Sequence, residues 1–105
     1  MIRDRADMMA ALRSLKARYL EEGFLIEGVF GSYARGDYHE ASDVDILYRL
    51  NETFLQRYQG FCGFKRLYEI KQELTKSLGK SVDLAPANNL SDTGEKYILK
   101  ELVRV

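Results

Sequence analysis

Three aspartates and a glycine–serine pair are the residues of this chain best suited to chemistry. Asp43 and Asp45 stand two apart in the run Asp43-Val44-Asp45-Ile46-Leu47. Side chains alternate along a strand, so both carboxylates would project from one face while Val44 and Ile46 point to the other. Two carboxylates held ~4 Å apart repel by roughly 4 kcal/mol at an effective dielectric of about 20. A cation between them relieves that cost. Magnesium suits the role, because it takes oxygen ligands and keeps positions open for water and substrate phosphates. Asp83, flanked by Val82 and Leu84, offers a third carboxylate. If the two segments are neighbouring strands, all three aspartates converge at one end of a sheet. Taken alone, Asp-x-Asp equally marks the solvent face of an exposed strand.

Gly31-Ser32 directly follows an apolar run. Such a turn exposes backbone N–H groups, and the serine adds a hydroxyl donor. A helical turn through Tyr33-Ala34-Arg35 would aim its N-terminus at the same spot, a natural place for phosphate, and Arg35 could add a positive charge there. By itself Gly-Ser is an ordinary turn. No Gly-Lys-Ser/Thr follows, so it is not a Walker-type loop, and it is not a dinucleotide fingerprint either.

Hydrophobic periodicity indicates the elements that would position these groups. Met8, Leu12, Leu15 and Tyr19 form one stripe of a helix spanning about 4–22, stopped by Gly23. Phe24 to Phe30 reads as a buried strand and Asp43 to Leu50 as a second, with a polar loop between them. The stretch 51–63 is ambiguous between a loop and a broken helix. A further helix runs from about Phe64 to Leu78, its face defined by Leu67, Ile70, Lys71, Leu74 and Leu78, and Gly79 ends it. Ser81 to Ala85 is a third strand, closed by Pro86. Residues 88–94 are turn-rich, and a last helix from about Thr93 carries Tyr97, Ile98, Leu102 and Val105. The expected fold is α+β, a small mixed sheet with helices packed on one face.

At 105 residues the chain is expected to be a single domain, 1–105. Sixteen basic and sixteen acidic side chains cancel, so no basic stripe argues for nucleic acid as a partner. No apolar run reaches the ~20 residues that span a bilayer, and no signal segment opens the chain. Cys62 is the only cysteine, which excludes an internal disulfide, and the expected setting is cytoplasmic. Cys62 itself reads as a buried or half-buried thiol, and His39 as a solvated loop residue. Tyr33, Tyr38 and Tyr48 read as packing residues. The apolar stretch Tyr58–Phe64 could serve an interface, including one between copies of the chain, if it is exposed.

Ten residues separate Ser32 from Asp43, and Asp45 and Asp83 complete the set. In this combination the sequence resembles the minimal nucleotidyltransferases of the DNA polymerase β superfamily. The resemblance rests on Gly31-Ser32-Tyr33-Ala34-Arg35-Gly36-Asp37, Ser42-Asp43-Val44-Asp45-Ile46-Leu47 and Ser81-Val82-Asp83-Leu84, and on the element order. It implies a polymerase β palm-like fold and a magnesium-dependent transfer of AMP from ATP. By the same resemblance Gly31 and Ser32 hold the triphosphate, with Arg35 as a further phosphate contact. Asp43, Asp45 and Asp83 ligate two magnesium ions, and Asp83 also helps deprotonate the attacking hydroxyl.

Larger relatives add a domain that holds the acceptor. This chain stops at Val105, so the acceptor is expected on another molecule. Small members of this kind resemble the antitoxin half of a toxin–antitoxin pair, which implies a HEPN-type ribonuclease toxin adenylylated on a tyrosine. Two other readings stay open. One is a binding module that neutralises its partner by contact alone, and the other is nucleotidyl transfer to a small molecule such as an aminoglycoside.

Overall fold

The computed structural model describes residues 4–87 and 92–105. Helix α1 (Arg5–Leu20) opens on Asp4, whose side chain accepts from the Asp7 N–H at 2.9 Å. This satisfies a donor that the first turn cannot pair internally. Met8, Leu12, Leu15 and Tyr19 bury along its inner side as their spacing requires. Strand β1 (Phe24–Phe30) leads into α2 (Ser32–Arg35), a single helical turn. Strand β2 (Val44–Leu50) returns antiparallel to β1, with Phe30 opposite Asp45 and Phe24 opposite Leu50.

The ambiguous stretch resolves into a broken helix. Asn51 caps α3 (Glu52–Arg57), and α4 (Phe61–Leu78) begins three residues earlier than periodicity suggests, taking Gly63 into its first turn. Helix α4 is the crossover that lets β3 (Val82–Pro86) run parallel to β2. Pro86 ends the strand from within it, opposite Tyr48.

Helix α5 (Asp92–Glu101) stops earlier than expected. Leu102 and Val105 do not continue it. Instead β4 (Val103–Arg104) pairs antiparallel with β1, Gly28 facing Arg104 and Val29 facing Val103. A strand this short has no alternation to read, and its pairing partner lies some seventy residues away. Of the turn-rich stretch expected at 88–94, residues 88–91 lie outside the described residues and 92–94 belong to α5.

The described strands form one sheet in the order β3-β2-β1-β4. Helices α1 and α4 cover one face, and the core lies between them and Phe24, Ile26, Val29, Val44, Ile46, Tyr48 and Val82. Fully burying each such side chain contributes roughly 1.5–3 kcal/mol. Phe24 anchors this layer, stacked on Tyr48 at 4.9 Å and edge-on to Tyr19 at 5.9 Å. Tyr33 is also buried, stacked on Tyr38 at 4.4 Å.

Cys62 is exposed rather than buried, because α4 buries only Ile70, Leu74 and Leu78 and its first turn lies ahead of them, leaving Phe61 and Phe64 exposed as well. His39 is exposed in the loop, where its Nδ1 accepts from the Ala41 N–H at 3.2 Å.

A polar clamp joins α1, α3 and α4 away from the carboxylate edge of the sheet. Arg66 donates to both Glu22 oxygens at 2.7 Å and to Glu73 at 3.0 Å. Tyr58 and Tyr19 donate their hydroxyls to Glu22 and Glu73, each at 2.6 Å. The Arg66 guanidinium, helped by the Tyr58 hydroxyl, pulls the Glu22 carboxyl from 4.5 down to about 2. A depressed carboxyl stabilises the fold above its unfolded value and loses that contribution as pH falls towards the folded one. We therefore expect urea unfolding to show stability falling between pH 4.5 and about 2, and Glu22→Gln to flatten that part of the profile.

Candidate active site

The parallel register of β2 and β3 sets Asp45 directly beside Asp83. Both belong to the alternate set of positions to the core residues Val44, Ile46 and Val82. Asp43 lies just before β2 rather than in it, exposed, and Val44 N–H donates to the Ser81 carbonyl at 2.9 Å to start the pairing. Asp45 is half-buried, whereas Asp83 is exposed. Burial, then the charges of Asp83 and Asp43, push the Asp45 carboxyl above the usual carboxylate range, with Arg35 opposing them. All three aspartates singled out by the sequence therefore share one electrostatic neighbourhood.

Gly31 closes that neighbourhood from β1. Its φ of 72° and ψ of −149° lie in a region that side chains avoid. A Cβ built there would also collide with the Asp45 Oδ2. Glycine is required twice over, once by the backbone and once by the carboxylate packed against it. Ser32 opens α2, its carbonyl accepting from the Gly36 N–H at 2.9 Å. Arg35, at the end of that turn, pairs with Asp37 at 3.1 Å and with Glu101 at 3.1 Å.

Glu101 was not legible in the sequence. It is the last residue of α5, and its Oε2 accepts from the Gly31 N–H at 3.3 Å while its Oε1 takes the Arg35 guanidinium. No periodicity or local motif links residues seventy positions apart. Only the docking of α5 beside β1 brings them together.

The donor set fits a hard divalent cation. It is made of carboxylate oxygens, drawn from two adjacent strands, with their repulsion unrelieved and no Cβ at residue 31. Among the described residues no three His, Cys, Asp or Glu side chains are gathered tightly enough to close round one ion. Asp43, Asp45 and Asp83 are the groups that could hold such an ion after side-chain rotation.

Residues 12–105 match the model of the nucleotidyltransferase domain family, and the chain belongs to that family. It is 37% identical over 78 residues to the protein adenylyltransferase MntA of Thermococcus cleftensis, covering 74% of this chain and 71% of that protein. It is 35% identical over 86 residues to a protein of Methanocaldococcus jannaschii named as a candidate protein adenylyltransferase, covering 82% of this chain and 84% of the relative. A solved structure of a candidate minimal nucleotidyltransferase superposes with a TM-score of 0.75 at 26% identity, over 98% of this chain and 97% of that one. The fold is also shared, at a TM-score of 0.66 and 20% identity, with a toxin–antitoxin crystal structure containing AMP-PNP, over 90% of this chain and 69% of that one. The mixed sheet and its helices are thus those of a minimal nucleotidyltransferase.

Two substitutions separate stability from site geometry. Asp45→Asn removes a half-buried charge from beside Asp83, so it should raise the unfolding free energy of the ligand-free protein by about 0.5–2 kcal/mol. Gly31→Ala should lower it by about 1–3 kcal/mol, because alanine must take a strained backbone conformation. Paired urea titrations at neutral pH check both signs.

Proposed function

We propose that this chain, acting as one nucleotidyltransferase domain over residues 1–105, transfers AMP from ATP to a hydroxyl of a partner protein. The observation that carries this reading is the meeting of Asp45, Asp83 and the Gly31 backbone at one edge of the sheet. Carboxylates that gather cations and an N–H that already holds an anionic oxygen stand side by side there.

Asp43, Asp45 and Asp83 hold two magnesium ions in this reading, which when bound neutralise the triphosphate and the departing pyrophosphate. Gly31 and Ser32 orient the phosphates through N–H and hydroxyl donors, and Arg35 adds a charge-assisted contact. The acceptor hydroxyl attacks the α-phosphorus as the bond to pyrophosphate breaks. Asp83, exposed and next to Asp45, takes the hydroxyl proton.

The relatives support this acceptor class. Those of Thermococcus cleftensis and Methanocaldococcus jannaschii are named for adenylylation of proteins, and the fold is shared with a toxin–antitoxin assembly that holds an ATP analogue. We read the partner as a HEPN-type ribonuclease toxin modified on tyrosine, this chain as its antitoxin, and the setting as cytoplasmic. No described helix is long and apolar enough to cross a membrane.

The test is transfer of label from α-labelled ATP, with magnesium, to the product of the adjacent gene. Label should reach the partner's tyrosine and be lost with Asp43→Ala/Asp45→Ala. Asp83→Ala should slow transfer by on the order of 10²–10⁴-fold, the usual contribution of a positioned base. Neutralisation of the partner that survives these changes would instead establish a contact-only module. Label found on small hydroxyl compounds such as aminoglycosides would move the acceptor to that class.

A further inference from the structure

Nucleotidyl transfer needs no acid at position 101, yet Glu101 occupies two of the donors assigned above to the triphosphate. Gly31 N–H reaches its Oε2 at 3.3 Å, and Arg35 Nη1 reaches its Oε1 at 3.1 Å. A carboxylate and a phosphate present the same feature to such donors, a pair of anionic oxygens that accept charge-assisted hydrogen bonds. Glu101 is the more enclosed member of its ion pair, its side chain 18% exposed against 46% for Arg35.

Glu101 is not what fastens the C-terminal segment. Strand β4 is paired to β1, Arg104 bridges to Glu27 at 3.0 Å, and Lys16 donates to the Val105 carbonyl at 2.6 Å. The carboxylate also works against its surroundings. It adds negative charge beside Asp45, which Asp83 and Asp43 already disfavour as an anion. Its two donors are what offset that repulsion.

We propose that Glu101 is a built-in anionic occupant of the phosphate anchor, which the triphosphate must displace in order to bind. This inference rests on the nucleotidyltransferase reading above. Apparent affinity for ATP is then the intrinsic affinity reduced by the fraction of molecules in which Glu101 has withdrawn. A carboxylate in place nine-tenths of the time weakens binding about tenfold. The effect belongs to phosphates alone, since a ligand without them does not compete for Gly31 N–H or Arg35.

Calorimetric titration of the full chain with ATP and magnesium, and with adenosine, tests this on the wild type, Glu101→Gln and Glu101→Ala. The isosteric amide leaves the local packing in place, and the alanine variant repeats the reading without a side-chain acceptor. ATP should bind about fivefold to tenfold more tightly to both variants, with adenosine binding unchanged. Unchanged ATP affinity would overturn the inference while leaving nucleotide binding intact. Weaker ATP binding would also overturn it, making Glu101 a group that positions Arg35. An equal gain for adenosine would reduce the effect to a general change in the cleft. Failure of all three proteins to bind ATP would overturn the nucleotidyltransferase reading and this inference with it.

Discussion

Asp45 lies beside Asp83 near the start of two parallel strands, and the rest of the molecule is arranged around that unfavourable pairing. Two adjacent carboxylates, with a third two residues upstream, are a liability in any strand pair. They persist because their strands have no freedom to slip. A shift of one residue between β2 and β3 would carry Val44, Ile46 and Val82 out of the core. The apolar face therefore fixes the register, and the register holds the charges together. A parallel neighbour also requires a crossover, so α4 is the condition for Asp83 being near Asp45 at all.

The supporting interactions lie elsewhere. Phe24, Tyr19 and Tyr48 form the aromatic centre of the core, and the Arg66 clamp ties α1 to α4 through Glu22 and Glu73. Every partner in that clamp is charged or hydrogen-bonded to charge, in contrast to the half-buried Asp45. The core and the clamp hold the helices to the sheet, while the carboxylate edge retains repulsion that a ligand can relieve. Such a division is common where function needs locally unfavourable groups.

At that same edge, Gly31 lets backbone approach carboxylate more closely than any side chain would permit, and α5 brings one more acid to the turn. The first turn of α4 presents Phe61, Phe64 and the thiol of Cys62 to solvent. Helix α4 thus serves the site through its buried face and leaves an apolar surface on its outer one.

Much of this was written in local sequence. Alternation around Asp45 and Asp83 put both off the core face, though Asp43 fell just outside the strand expected to hold it. The four- and three-residue spacing of Met8, Leu12, Leu15 and Tyr19 gave α1, and Gly31-Ser32 marked the turn. These signals are short-range, because periodicity and turn chemistry act within a few residues. Tertiary structure alone decided three things. It chose the parallel pairing that makes Asp45 and Asp83 neighbours, which sequence could state only as a condition. It turned 103–104 into a strand, since two residues acquire that state only by pairing with β1. It brought Glu101 to Gly31 and Arg35 across some seventy residues of chain. Local propensity carries no information about contacts closed by the docking of distant elements, and the charge environment of the candidate site is built from such contacts.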